Sequence, residues 1–434
     1  MGVTGLLFEK LENVYKNTKI DLTITLYFLC LLQVITGFSN SYVNLVFVAV
    51  LYLALITLPF KEAFKLLPVI IVYFGYTYVN MSLPGGIIFG NRYVSNFFIA
   101  ILSIKALISY SRSILSKRYL VFILLMLFLI CQRFYYGEYF KIIWLICSMV
   151  AGLSYIAVIK RDRKCLAAFI DVFVFILATV YIYNLLHLGK YETPSAEGFR
   201  GLQFAGMRDG NNFSLQANLC LALIFAANLH KTKKYRWFIG FLVISSVVTI
   251  SLSGIFTTLC ILFLAAMRYV IKDKRLLAII LCLFILLIMA SPFVIDILVR
   301  LNIKVITGIV ERINLSKEYL IAGDFNKLTS YRTYLWGVYM DEYNALSPMQ
   351  QLTGNAKVVQ QVLDKGTLAS HNAWIDFLIT NGIIGTSLFL IQLVINMYIN
   401  WRRNEAFNNY LTAVFILNVF MRSIDGLMLY ILLF

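Results

Sequence analysis

Apolar runs of near twenty residues recur from end to end of this chain, each closed by a basic cluster or a polar loop, and they restrict its folds more than any other feature. A helix needs about 20 such residues to cross a hydrocarbon slab of roughly 30 Å, and the period-two alternation of an outer-membrane barrel is missing. Hydrophobic residues fill 61% of the 434 positions and charged residues only 14%. No water-soluble core needs that much apolar surface, so lipid is the expected solvent. The runs fall near 21–38, 42–60, 66–83, 93–111, 119–136, 139–159, 165–186, 212–229, 236–251, 254–270, 275–296, 373–399 and 408–434. The expected fold is an all-α polytopic membrane protein, a single integral membrane domain over 1–434 with about 12–14 transmembrane helices.

The net charge of +17 would suggest a nucleic-acid partner in a soluble protein. Here the cations sit in short clusters between apolar runs: Lys61/Lys65, Arg112/Lys117/Arg118, Lys160/Arg161/Arg163/Lys164, Lys231/Lys233/Lys234/Arg236, Lys272/Lys274/Arg275 and Arg402/Arg403. These fall in alternate connections, so all land on one side if the N-terminus is cytoplasmic, as the positive-inside rule requires. No nucleic acid is implied. Met1–Ile20 mixes Lys10, Lys16 and Lys19 with Glu9 and Glu12 and lacks a small-residue cleavage site, which reads as a cytoplasmic lead-in. The seven cysteines all lie in apolar runs and suggest neither a disulfide framework nor a metal site.

That orientation puts Pro84–Arg92, a loop over 188–211, the tight Ser251–Gly254 turn and a long loop over 301–371 on the outer side. A connection of such length as the last is usually functional. Within it Ser330 can cap a helix from Tyr331 to about Ala345, with Leu335, Trp336, Val338 and Tyr339 on its apolar face, lying on the membrane surface or on top of the bundle. The last run is read as a tilted helix, a turn near Arg422–Gly426 and a short return, or else as one long helix with a buried ion pair.

Three histidines are present. His230 falls among cytoplasmic lysines, while His187 and His371 sit at the outer edge. At His371 two readings stand: an interfacial residue at a helix start capped by Asn372, or a group exchanging a proton with a substrate. Arg200, Arg208, Arg312 and Arg332 in the outer loops, with Arg300 and Arg422 near outer edges, run against the positive-inside rule. They suit bidentate binding of a phosphate-bearing substrate; contact with lipid phosphates, or with Glu192, Glu197, Asp209, Glu311 or Asp341, is the other reading. Glycine-rich Phe199–Gly210 leads into Asn211 and Asn212, where free N–H groups favour an anion. No Walker loop, dinucleotide fingerprint, acidic pair or metal-ligand spacing occurs, so neither cofactor nor metal is expected. Trp336, Trp374 and the tyrosines between 331 and 343 can stack on sugars or form an interfacial belt.

His371-Asn372, nine residues, then Gly382-Ile383-Ile384-Gly385-Thr386 resembles the signature of the O-antigen polymerase and O-antigen ligase superfamily. Arg200-Gly201 before Gly210-Asn211-Asn212, and Arg332 with Trp336 and Gly354, are similar to that family's patterns in the same order; Ser253-Gly254 stands where the family usually has Ser-Arg. The resemblance covers the chain from about residue 195 on. It implies a metal-independent, inverting glycosyltransferase of the GT-C type in the bacterial cytoplasmic membrane, multi-pass, with its active site on the periplasmic or extracellular side. Donor and acceptor would be undecaprenyl-pyrophosphate-linked oligosaccharides. Arg200, Arg332 and His371 would be catalytic; Arg208, Asn211, Asn212, Arg312, Trp336 and Asn372 would bind substrate. The arginines would neutralise the leaving pyrophosphate and His371 would orient or deprotonate the acceptor hydroxyl. Membrane lipids, a chain-length regulator and a flippase are the expected partners. Polymerase is the leading expectation, ligation to a lipid A core uses the same residues, and a lipid-linked oligosaccharide flippase or other transporter is the rival from another class.

Overall fold

The computed structural model describes residues 27–32, 35, 41–70, 72–73, 91–114, 120–139, 142–143, 146–147, 162–186, 192–195, 198–202, 210–249, 251–270, 304–329, 331–365, 370 and 372–402. The expected runs at 275–296 and 408–434 lie outside these residues, as do most of 21–38, 66–83 and 139–159, together with His187, Arg208, Arg300, Ser330, His371 and Arg422.

Wherever a predicted run is described, a helix occupies it to within a few residues: α1 Ser41–Thr57, α2 Phe60–Phe64, α3 Leu67–Val69, α4 Asn91–Ile114, α5 Leu120–Tyr135 and α6 Arg163–Leu186. After a β-hairpin come α7 Gly210–Ala226, a 3₁₀ turn at Leu229–Lys231, α8 Lys233–Val248 and α9 Leu252–Val270. The segment over 304–364 then adds α10 Lys304–Ile321, α11 Phe325–Leu328, α12 Arg332–Asn344, α13 Pro348–Thr353 and α14 Ala356–Asp364, and the described chain ends in α15, Ala373–Arg402. Among the described residues two stretches, Lys164–Tyr183 and Ala373–Ile395, are long and apolar enough to cross a membrane; Tyr42–Thr57, Asn96–Ser109, Leu120–Tyr135, Phe213–Ala226 and Gly254–Ala265 are shorter apolar helices. Their outward faces carry large apolar side chains such as Leu53, Ile104, Leu124, Leu127, Phe263 and Val394.

The packing centre is α7. Every residue from Phe213 to Ile224 is buried, the signature of a helix enclosed on all sides. It packs on α6, α8 and α9, with Tyr181 of α6 against Phe213 at 6.3 Å between ring centres. Gly254 near the start of α9 fits against Ser214: any Cβ there would collide with the Ser214 hydroxyl, so glycine sets the approach of α9 to α7.

At one end, where α1 stops and α6 begins, charges are matched in pairs. Lys61 meets Asp162 at 2.8 Å, and Asp162 also caps α6 by accepting from the N–H groups of Lys164 and Cys165. Lys234 meets Asp171 at 2.6 Å. Buried Lys105 donates to the carbonyls of Ile56 and Leu58, satisfying the open C-terminus of α1. His230 stacks on Phe225 nearby in sequence, with ring centres 5.4 Å apart.

The two segments expected as outer loops hold more regular structure than the expected all-α plan. Within 188–211 a two-stranded antiparallel hairpin joins β1, Glu192–Ser195, to β2, Gly198–Leu202, with Pro194 opposite Phe199 and a bulge between Glu192 and Pro194. The predicted helix at 331–345 is present as α12, but Tyr331 rather than Ser330 holds the N-cap position. Its backbone is left-handed, φ 61°, with no side-chain cap. Tyr339, Tyr343, Val358, Val362 and Ile379 form one apolar cluster with Ile375 and Leu378, which seats α12 and α14 on the first half of α15.

Candidate active site around the start of α15

Asn372 caps α15. Its side-chain oxygen accepts from the N–H groups of Trp374 (3.0 Å) and Ile375 (3.3 Å), and its carbonyl accepts from Asp376 N–H at 3.1 Å. Ser370 locks the approach: its hydroxyl accepts from Asn372 N–H at 3.0 Å and donates to the Asn372 carbonyl at 3.1 Å. Both residues are buried. His371, the residue between them, lies outside the described residues.

Trp336 ties this turn to α12 by donating its indole N–H to the Ser370 carbonyl at 3.0 Å. Arg332 stands one helical turn before Trp336, and residues four apart share a helix face with Cβ atoms roughly 5–6 Å apart. The Arg-x-x-x-Trp spacing therefore puts Arg332 a single turn from the side chain that grips the residue before His371. Tyr339, wholly buried, also meets the Ser370 backbone; burial and then the neighbouring Asp376 charge push its phenol up to about 12. Asp376 interacts with the Ser370 hydroxyl and keeps its Oδ1 buried without a hydrogen-bond partner.

The Gly-x-x-Gly-Thr stretch has a structural explanation. Gly382 breaks α15 with φ 65° and ψ −173°, a conformation essentially confined to glycine. Gly354 fills the break: a Cβ on either glycine would overlap backbone atoms beside the other, the Thr380 carbonyl and Gly382 amide for Gly354, the Leu352 carbonyl and Gly354 amide for Gly382. Thr386 donates to the Gly382 carbonyl at 2.8 Å, and Gly385 admits Phe128 of α5, which a Cβ would approach to 3.0 Å. The end of α5 completes the joint. Gln132 donates its amide to both the Thr353 and Thr380 carbonyls, and Tyr136 donates to Gly354 O at 2.7 Å. Asn355 N–H reaches Ile379 O at 2.8 Å.

The remaining expected residues group by element. β2, which carries Arg200, packs against α10, which carries Arg312; α10 packs on α11, and α11 on α12 with Arg332. The three arginine-bearing elements thus form a continuous run that ends on the start of α15. For Arg200, Arg312, Asn211 and Asn212 the structure describes the backbone position. Asn211 and Asn212 occupy the first turn of α7, and Arg208 lies outside the described residues. No group of three or more His, Cys, Asp or Glu side chains that could hold a metal occurs among the described residues.

Ser370, Gln132 and Tyr136 were not anticipated as site residues. Gln132 and Tyr136 close an apolar run, where a polar residue reads as a span end, and only the fold reveals that they meet Gly354. The chain matches no protein-family model, no curated protein and no solved structure.

Proposed function

We propose that the chain is a multi-pass helical membrane glycosyltransferase, a polysaccharide polymerase that joins lipid-linked glycans on the outer side of a bacterial cytoplasmic membrane. The observation that carries this reading is the convergence of the outer segment on the turn flanking His371: Trp336 holds Ser370, Asn372 caps α15, and the elements bearing Arg200, Arg312 and Arg332 lie in one contiguous run. The apolar outward faces, too extensive for water, together with the two long apolar helices support the membrane setting.

In this reading the acceptor hydroxyl oxygen attacks the anomeric carbon. Its proton passes to His371, and the bond from the anomeric carbon to the phosphate oxygen breaks with its electron pair leaving on the pyrophosphate, whose charge the arginines neutralise. One displacement inverts the anomeric configuration. The transporter alternative loses its ionisable candidates, since Lys105 caps α1 and Asp171 pairs with Lys234.

The test is to replace His371, Arg200 and Arg332 singly by Ala, verify expression, and resolve lipid-linked and surface glycans by length. Single repeat units with no long polymer support polymerase. Long chains accumulating on the lipid carrier indicate ligation instead, and normal polymer in all three variants overturns the enzyme reading.

A further inference from the structure

The α7 helix carries two opposed polar faces, and only one of them is explained by packing. Ser214 and Asn218 face α8 and α9: Ser214 approaches the Ser246 hydroxyl at 3.5 Å, while Asn218 donates to Gly254 O at 3.0 Å and accepts from Thr258 at 2.7 Å. Gln216 lies between them in sequence. At 100° per residue it points about 160–200° away from that pair, on the face it shares with Asn212 one turn earlier. It has no exposed surface, and both its Oε1 and Nε2 are buried without a hydrogen-bond partner.

A buried amide with neither donor nor acceptor satisfied is rare, because native folds pair such groups or place water or ligand against them. Helical Cα–Cβ bonds tilt toward the N-terminus, so Gln216 covers the turn before it, on the side of the open N–H groups of the first turn of α7. In chain order α7 is the element after β2, which bears Arg200. Gln216 is neutral, and its amide presents one acceptor and two donor hydrogens side by side. Such a group suits a partner that also offers both: vicinal hydroxyls or an acetamido group.

We propose that Gln216 is a specificity-determining residue that reads a sugar ring of the substrate, while the arginine-bearing elements hold the phosphate. This rests on the glycosyl-transfer reading above. It adds Gln216 to the Asn211 and Asn212 expected at the start of α7, a position that residue patterning did not suggest because Gln216 lies inside an otherwise ordinary apolar run.

Purified full-length protein and its Gln216→Leu and Gln216→Met variants, which keep the volume and remove the amide, test the idea. The probe is the neutral oligosaccharide repeat released from the source bacterium's surface polysaccharide, and the readout is the ligand-induced shift of Tm, measured alongside the extension of lipid-linked repeat units. Expected is a Tm shift in the wild type that is at least halved in both variants, with KM for the lipid-linked unit raised about tenfold and kcat changed less, as loss of uniform binding predicts. Equal shifts in all three proteins, or a shift in none, overturns the inference. If wild type extends chains while Gln216→Leu does so with unchanged KM, glycosyl transfer stands and the Gln216 role falls. If wild type binds the repeat through Gln216 without extending chains, the sugar site stands and the polymerase reading falls. A variant that fails to fold is replaced by Gln216→Asn, which keeps an amide but withdraws it by one methylene, and is judged by the same two outcomes.

Discussion

The two ends of the bundle are held by different physics. Where α1 stops and α6 begins, long flexible side chains meet as ion pairs, Lys61 with Asp162 and Lys234 with Asp171, and each partner is partly exposed. Where α5 stops and α15 breaks, backbone meets backbone across two glycines, with Gln132 and Tyr136 bonding main-chain groups there and Trp336 and Ser370 doing so at the start of α15. Exposed pairs tolerate drift and respond to salt; a glycine-to-glycine contact tolerates almost none. A joint of the second kind fixes the course of α15, whose start carries the Asn372 cap.

The sharpest test of that contrast is Gly382→Ala. The substituted residue would need φ near 65° and would overlap the Leu352 carbonyl, so a loss of about 3 kcal/mol or more is expected, read as a large fall in Tm or as absent protein. A well-folded, active Gly382→Ala protein would sink the account of the joint. His371→Ala is expected to separate activity from stability: a transfer rate lower by roughly 10²–10⁴-fold with Tm unmoved, measured on the same preparation. If Tm falls as well, His371 belongs to the joint rather than to chemistry.

Smaller effects follow in order. Gln132→Leu removes the donor to the Thr353 and Thr380 carbonyls and should cost about 1–3 kcal/mol in denaturant unfolding. At the opposite end, Lys61→Ala should cost only about 0–1 kcal/mol and lose even that at high salt. The pH response of that pair has a definite sign. The hydrogen bond from Lys61, followed by the capped α6 amides, holds the Asp162 carboxyl below its ordinary range. Its stabilising contribution is therefore complete above the usual carboxylate pKa near 4 and disappears as the pH falls through the lower folded value. In Lys61→Ala, the acid sensitivity of α6 measured by hydrogen exchange should shift toward higher pH; no shift would mean that the cap alone sets the Asp162 carboxyl.

Helices were legible wherever a long apolar run met a cap, as with Asn372 before α15, because burial and capping are both written locally. The hairpin at 192–202 was not: Glu-Thr-Pro-Ser and Gly-Phe-Arg-Gly-Leu lack alternation, and a proline in a strand argues against one. The break at Gly382 was hidden for a related reason, since one glycine in an apolar run reads as a tolerated helix residue until Gly354, far away in sequence, is placed against it. Among the site residues, the spacing of Arg332 to Trp336 spoke plainly, whereas Gln132 and Ser370 depend on contacts across 34 or more positions that no local pattern encodes.

The enclosure of α7 also bears on how the chain is made. A segment that carries Ser214, Gln216 and Asn218 within its first turns is a poor candidate to leave the translocon for lipid alone, because each amide or hydroxyl would meet hydrocarbon. In the proposed membrane setting its release waits for α8 and α9, whose Ser246, Gly254 and Thr258 supply the partners for its packed face. Biogenesis then delivers these three helices as one parcel, and a truncation after α7 should be retained at the insertion machinery or degraded.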